Sequence, residues 1–375
     1  MNKLKIIITG DFCPNNRIVD LIRENDYANI FNDLLPSIKE SDIAITNLEC
    51  PLTNVKEKIK KTGPHLKAID KTIEALNYAG FNLVSLANNH IMDYGVGGLN
   101  STIEACRKSG IDCVGVGSDL KEAREPFYKE VNGIRLAFIN FCENEWSTTS
   151  GHTPGANPLN PISNYYDIKE ASKNADHVIV IVHGGHEHYA LPSPRMQETY
   201  RFFIDAGASA VIGHHTHCFS GYETYQSAPI FYSLGNFIFD WKDIRDTPWN
   251  FGYAVKLEVS FDKISFSLLP YKQGNSLPGV MLLNSQENKK FEIELSQLNS
   301  IIENRILLKQ EFDTYAKKSK PTFDLYLEPF SSRLFSFLYT RKLLPSFLTQ
   351  KKRSLLLNIV RCEAHHDLLM KILKH

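Results

Sequence analysis

Imidazoles, carboxylates and amides recur in this chain directly after apolar runs. His183 follows Val178-Ile179-Val180-Ile181-Val182, and His214, His215 and His217 follow Ser209-Ala210-Val211-Ile212-Gly213. Asp11 follows the run at 4–9, Glu49 the run at 42–46, and Asn89-His90 the run at 81–87. Neutral imidazole is the commonest metal ligand, and a mixed nitrogen and oxygen set suits a divalent transition ion such as Mn, Fe or Zn. A pair of such ions needs a bridging carboxylate and open positions, so that water becomes a nucleophile and an oxyanion is clamped. Asp11, Glu49, Asn89, His183, His215 and His217 are therefore the candidate ligands for one or two divalent ions. A lone His after a strand is more often structural than ligating. The pair His215-Thr-His217 is a stronger signal, because alternation along an extended segment brings both rings to one side.

Such residues must be delivered by strands. A continuous β-branched run reads as a strand covered on both faces, and in open α/β architectures ligands collect in the crevice at the carboxyl ends of the strands. Helical patterning is expected over 17–40, over 67–79 with Gly80 as its stop signal, and over 99–109 and 194–206. Residues 253–259 and 263–269 read as an antiparallel hairpin. The Pro-, Asn-, Ser- and Gly-rich stretch 146–166 reads as a long loop, placed either to cover a substrate or as a surface excursion. From 286 onward strand signals fade, and helical windows at 291–315, 333–344 and 354–373 predict a C-terminal appendage after a main domain of 1–285.

Composition narrows the classes. Among 375 residues, 42 Lys and Arg balance 42 Asp and Glu, so no global field argues for nucleic acid. Seven cysteines, scattered and never spaced as CxxC, argue against a disulfide framework and a zinc knuckle and for a reducing compartment. The first apolar run ends at Thr9 without a cleavage site, and no window approaches the about 18 to 20 apolar residues of a membrane span. The clusters Arg341-Lys342 and Lys351-Lys352-Arg353, beside Phe335, Phe337, Leu338 and Phe347, allow membrane-surface contact by the C-terminal basic helices. The commoner fate of such a stripe is packing on the main domain with its basic residues in water.

The order GD (10–11), NLECPLT (47–53), ANNHIMDYGVGGL (87–99), HGGHE (183–187), IGHHTH (212–217) and YSLGNFIFD (232–240) resembles the CapA family, proteins associated with bacterial capsule and poly-γ-glutamate biosynthesis. The resemblance spans residues 4–275 and implies an α/β fold of the calcineurin-like metallophosphoesterase type, two packed sheets flanked by helices. In that superfamily successive strands supply Asp-x-His, a bridging Asp, Asn-His, a lone His and His-x-His, which Asp11, Asn89-His90, His183 and His215-Thr-His217 match. Cys13 stands where the first-motif His would be, and Glu49 stands for the bridging Asp, as in CapA proteins themselves. The missing His implies one firmly held ion and a weaker one, with Cys13 either a thiolate ligand or, more commonly, a small packing residue. The implied activity is metal-dependent hydrolysis of an anionic polymer or a small-molecule precursor. In it His90 is the general acid, Asp93 its orienting partner, Glu187 an orienter or base, and Asn236 and Asp240 line the substrate pocket. The same scaffold also allows a metal-assisted isomerase or epimerase, with His90 and Glu187 opposed, or a non-catalytic assembly factor. Family members often carry an N-terminal anchor; its absence here predicts a cytoplasmic location.

Overall fold

The computed structural model describes residues 3–330 and 332–361, together with 365, 369, 372 and 373. The chain divides into two units, Met1–Leu308 and Lys309–His375.

The first unit is built around the strand Leu4–Phe12, whose side chains alternate between two cores as the pleat requires. Ile6 and Ile8 enter a core that also holds Phe138, Val180, Ile212 and Val255, while Ile7 and Phe12 enter one with Leu34, Leu76 and Phe237. Around this strand lies an eight-stranded sheet. On one side follow Ile43–Leu48, Leu83–Ser85 and Asp112–Val114, all parallel. On the other side lie Phe251–Val259, Ile264–Gln273 and Val280–Leu282, antiparallel, with Asn236–Ile238 pairing beside Asp11 and Phe12. A second sheet of six strands has Ile134–Cys142, His177–His183 and Ala210–His214 side by side and parallel at its centre. The two sheets share the core of Ile6 and Val180, so they pack face to face with helices outside. Parallel strands leave their carboxyl ends on one edge, which collects Asp11, Glu49 and Asn89 from one sheet and His183 and His215 from the other.

Several elements differ from the sequence reading. Residues 17–40 do not form one helix but the pieces Arg17–Arg23, Ala28–Phe31, a 3-10 turn Asn32–Leu34, and Leu35–Lys39. Asn25 at φ 60° and Asn32 at φ 42° adopt backbone that a right-handed helix cannot continue. The stretch 146–166 is more tethered than a free loop: Gly155–Ala156 pairs with Val116–Gly117, and Ser147, Thr149 and Asn157 are buried. Its end already belongs to the helix Pro161–Asn174, capped by Asn160 Oδ1, which accepts from the amides of Ile162 and Ser163. The hairpin forms as Phe251–Val259 and Ile264–Gln273.

The first unit continues past residue 285. Helix Ser285–Glu303 starts with a capping box between Asn284 and Glu287 and buries Phe291, Leu295, Leu298 and Ile302, one stripe at helical spacing. Phe291 meets the rings of Phe219 and Tyr253, with centroids at 4.9 and 5.9 Å.

Helix Arg305–Leu327 carries the chain across the division between the units. In the second unit Arg333–Thr340 and Gln350–Arg361 follow, and Phe330 meets Tyr339 and Phe347 with centroids at 5.3 and 5.8 Å. The remainder of the helical window expected over 354–373 falls mostly outside the described residues. No helix among the described residues is long and apolar enough to cross a membrane.

Candidate metal centre

The edge residues meet in one buried cluster. Asp11 accepts hydrogen bonds from Asn47 Nδ2 at 2.7 Å and from the His215 amide at 3.1 Å. His214 Nδ1 lies 3.3 Å from Asp11 Oδ1. Burial alone would raise the Asp11 carboxyl, but His214, His183 and His217 hold it well below the ordinary carboxylate range.

Glu49 sits in the opposite situation. It is fully buried and neither carboxylate oxygen has a hydrogen-bond partner among the described residues. Burial, then the neighbouring charge of Asp11, push its carboxyl well above the usual range. On one side Glu49 Oε1 is 3.5 Å from His183 Nε2, which lies 3.0 Å from both Asn89 Oδ1 and His215 Nδ1. On the other side it is 3.8 Å from His217 Nε2, whose ring Nδ1 is 3.9 Å from Asp11 Oδ2. Two triads result, Glu49 with His183 and His215, and Asp11 with Glu49 and His217, each with its ligand atoms within 4.8 Å of one another. Glu49 belongs to both. Burial keeps the three imidazoles neutral, the ligating form: His183 is shifted well down, and His215 and His217 down to about 4.

Close backbone approach brings these residues together. A Cβ on Gly10 would lie 1.9 Å from the Gly235 carbonyl oxygen, and one on Gly213 would lie 2.2 Å from that of Tyr232. Only glycine admits such contact. His215 and His217 adopt φ of 96° and 58°, strained for side chains of this kind and characteristic of functional sites.

The remaining candidates separate by position. His90 Nδ1 donates to Asp93 Oδ2 at 2.7 Å, while Asn88 Oδ1 accepts from the His90 amide and so fixes the turn carrying Asn89 and His90. Asn236 Oδ1 accepts from His217 Nδ1 at 2.9 Å, a bond that leaves the opposite ring nitrogen facing Glu49. Asp240 is buried and held by Arg17, with Nε and Nη2 each at 2.8 Å, and by Arg245 at 3.2 Å. Glu187 is exposed, though its charge is felt at Glu49 and His217. Cys13 is buried, and burial together with the adjacent Cys50 thiol raises its pKa far above that of a free thiol.

Three residues at the cluster escaped the sequence reading, among them Glu145, whose Oε1 lies 3.6 Å from His215 Nε2. Asn47 Nδ2 bridges Asp11 and His183 Nδ1, at 2.7 and 3.0 Å. Lys61 is buried in an ion pair with Asp93 and sits 3.1 Å from His90 Nδ1. Burial would raise the Asp93 carboxyl, but His90, Lys61 and the Leu66 amide hold it below its ordinary value. Asn47 had a positional signal, since it ends a strand beside Glu49; Lys61 had none.

Residues 5–241, which include both triads, match the family described as Bacterial capsule synthesis protein PGA_cap. The chain belongs to this family. Among PGA_cap relatives, Capsule biosynthesis protein CapA of Bacillus anthracis is 34% identical over 258 residues, covering 65% of this chain and 62% of that protein. PGA biosynthesis protein CapA of Bacillus subtilis is 34% identical over 252 residues, covering 65% and 66%. A probable polyglutamine synthesis accessory protein of Mycobacterium tuberculosis is 26% identical over 218 residues, covering 54% and 57%. The chain thus spans just under two thirds of the length of its two Bacillus relatives. The fold of this chain is metallophosphoesterase-like, with multiple sheets flanked by helices, and its helical C-terminal part lies beyond the residues that match the family.

Proposed function

We propose that this protein is a metal-dependent hydrolase of capsule or surface-polymer biosynthesis, acting on an anionic polymer or a small-molecule precursor of one. The observation that carries the reading is Glu49. A buried carboxylate with no hydrogen-bond partner costs several kcal/mol, and here it is shared by two sets of imidazole and carboxylate donors. That donor set fits a divalent transition ion: Glu49, Asn89, His183 and His215 would hold one, and Asp11, Glu49 and His217 a second. Such an ion supplies Lewis acidity and a water made acidic enough to act as a nucleophile near neutral pH.

The protein's own groups do the rest. Asp93 accepts the Nδ1 proton of His90 and so fixes the tautomer in which the other ring nitrogen can carry a proton to a departing group. Lys61 keeps Asp93 ionised for that purpose. Asn236 acts as a positioning residue for His217, and Asn47 for Asp11 and His183. Asp240 is held in ion pairs with Arg17 and Arg245 and would contribute to substrate binding by fixing those cations. Exposed Glu187 contributes its negative charge beside the cluster, where Glu49 and His217 feel it.

Elemental analysis of the wild type and of His215→Ala tests the reading, with Mn, Fe and Zn supplied. Metal is expected in the wild type and a clear loss in the variant; equal, near-zero content in both would end it. A parallel screen of phosphoesters, γ-glutamyl peptides and sugar-polymer fragments identifies the bond, and metal without turnover on any of them would favour an assembly role.

A further inference from the structure

The chain as a whole is balanced, with 42 Lys and Arg against 42 Asp and Glu, yet residues 329–361 hold seven Lys or Arg and no Asp or Glu. The same stretch exposes large apolar side chains. Leu334, Phe337, Leu343, Leu355, Leu357 and Val360 have relative exposures between 46% and 66%. Arg333, Arg341, Lys342, Lys351 and Lys352 are exposed among them, and the Arg341 guanidinium lies 3.7 Å from the centre of the Phe337 ring. The unit spends other residues on its own packing: Phe330 meets Tyr339 and Phe347, Arg353 pairs with Asp324 at 2.7 Å, and Leu348 is buried. What remains outside is cationic and apolar in alternation.

We infer that residues 329–361 form a peripheral docking surface for a membrane rich in anionic lipid, independently of the chemistry at the metal centre. Basic residues near an acidic leaflet each add attraction, and interleaved Phe and Leu enter the boundary between headgroups and acyl chains. The helices Arg333–Thr340 and Gln350–Arg361, of 8 and 12 residues, fall short of the about 20 needed to span a bilayer, so the contact is with the surface. A second copy of the chain fits poorly, since it would bring the exposed Arg333, Arg341, Lys342, Lys351 and Lys352 against the same five cations with no acid in either stretch to pair them. A soluble polyanion would satisfy the charges but give the exposed leucines and Val360 nothing apolar to contact.

The test is sedimentation of the full chain with phosphatidylcholine vesicles, with and without phosphatidylglycerol, at low and high salt. Binding is expected to the anionic vesicles, with little to the neutral ones, and to weaken as salt rises. Lys351→Gln with Lys352→Gln should weaken it about 30-fold, the effect of two surface charges. Leu355→Ser with Leu357→Ser should weaken it at every salt concentration, and circular dichroism should show both double variants as helical as the wild type. The wild-type comparison decides even if a variant misfolds. Equal partition to both vesicle types, or to neither, overturns the proposal. Self-association, or binding to soluble polyglutamate, that persists without vesicle binding also overturns it and identifies the other occupant.

Discussion

In the proposed reaction His90 delivers a proton only if its ring is held in one tautomer, and Asp93, itself paired with Lys61, accepts from Nδ1 to hold it. His90→Ala should therefore keep most of its metal, because Asn89 and not His90 lies against His183, while losing about 100-fold or more in turnover. Metal content and initial rate measured on the same preparation check this; parallel loss of both would mean that His90 is a ligand. The candidate ligand set could be named from the sequence, because each member stands where an apolar run stops and its type is unusual there. Lys61 was not legible for a physical reason. It lies among Lys56, Lys58, Lys60 and Lys67 in a segment without periodicity, and nothing in such a pattern tells which lysine folds inward. Asn236 and Asp240 were recognised as residues near the site, but their hydrogen-bond partners, a ligand ring in one case and two arginines in the other, come from distant positions that pattern reading does not connect.

At the level of elements, the strands were readable because runs such as Val178–Val182 have no other comfortable state, whereas 17–40 deceived because apolar spacing persisted through Asn25 and Asn32, where the backbone turns left-handed. The single helical window expected over 291–315 is instead two helices, Ser285–Glu303 and Arg305–Leu327, and the apolar stripe of the first did not tell which core it would cover. The glycines before the ligands have the sharper consequence. Gly213→Ala places a methyl 2.2 Å from the Tyr232 carbonyl, and backbone cannot yield as a side-chain tip can. A loss of about 1–3 kcal/mol is expected, read from the urea midpoint, together with weaker metal retention because His214 and His215 follow directly. An unchanged midpoint would show that the two strands separate more readily than their packing implies.

Taken as a whole, the molecule joins an α/β unit that holds the candidate centre, with 29 Lys and Arg against 36 Asp and Glu, to a helical segment whose cationic surplus the balanced total composition conceals. The fold class was legible from the alternation of strands and helices; the extension of the first unit to Leu308 was not, since it depends on tertiary burial of Phe291 and Ile302. One short turn ties the two sheets at the site. Asp11 N donates to Gly235 O at 3.1 Å, Leu234 N to Gly213 O at 3.2 Å, and Tyr253 N to Leu234 O at 3.0 Å. Opening the sheets breaks either the bond between Leu234 and Gly213 on one side of the turn or the pair to Asp11 and Tyr253 on the other, so this junction opposes a hinge. In deuterated water the amides of Asp11, Leu234 and Tyr253 should therefore keep their protons as long as that of Ile7 at mid-strand, exchanging only when the whole first unit unfolds. Faster exchange at these three amides, with Ile7 still protected, would reveal a clam-like breathing of the centre that the static packing hides.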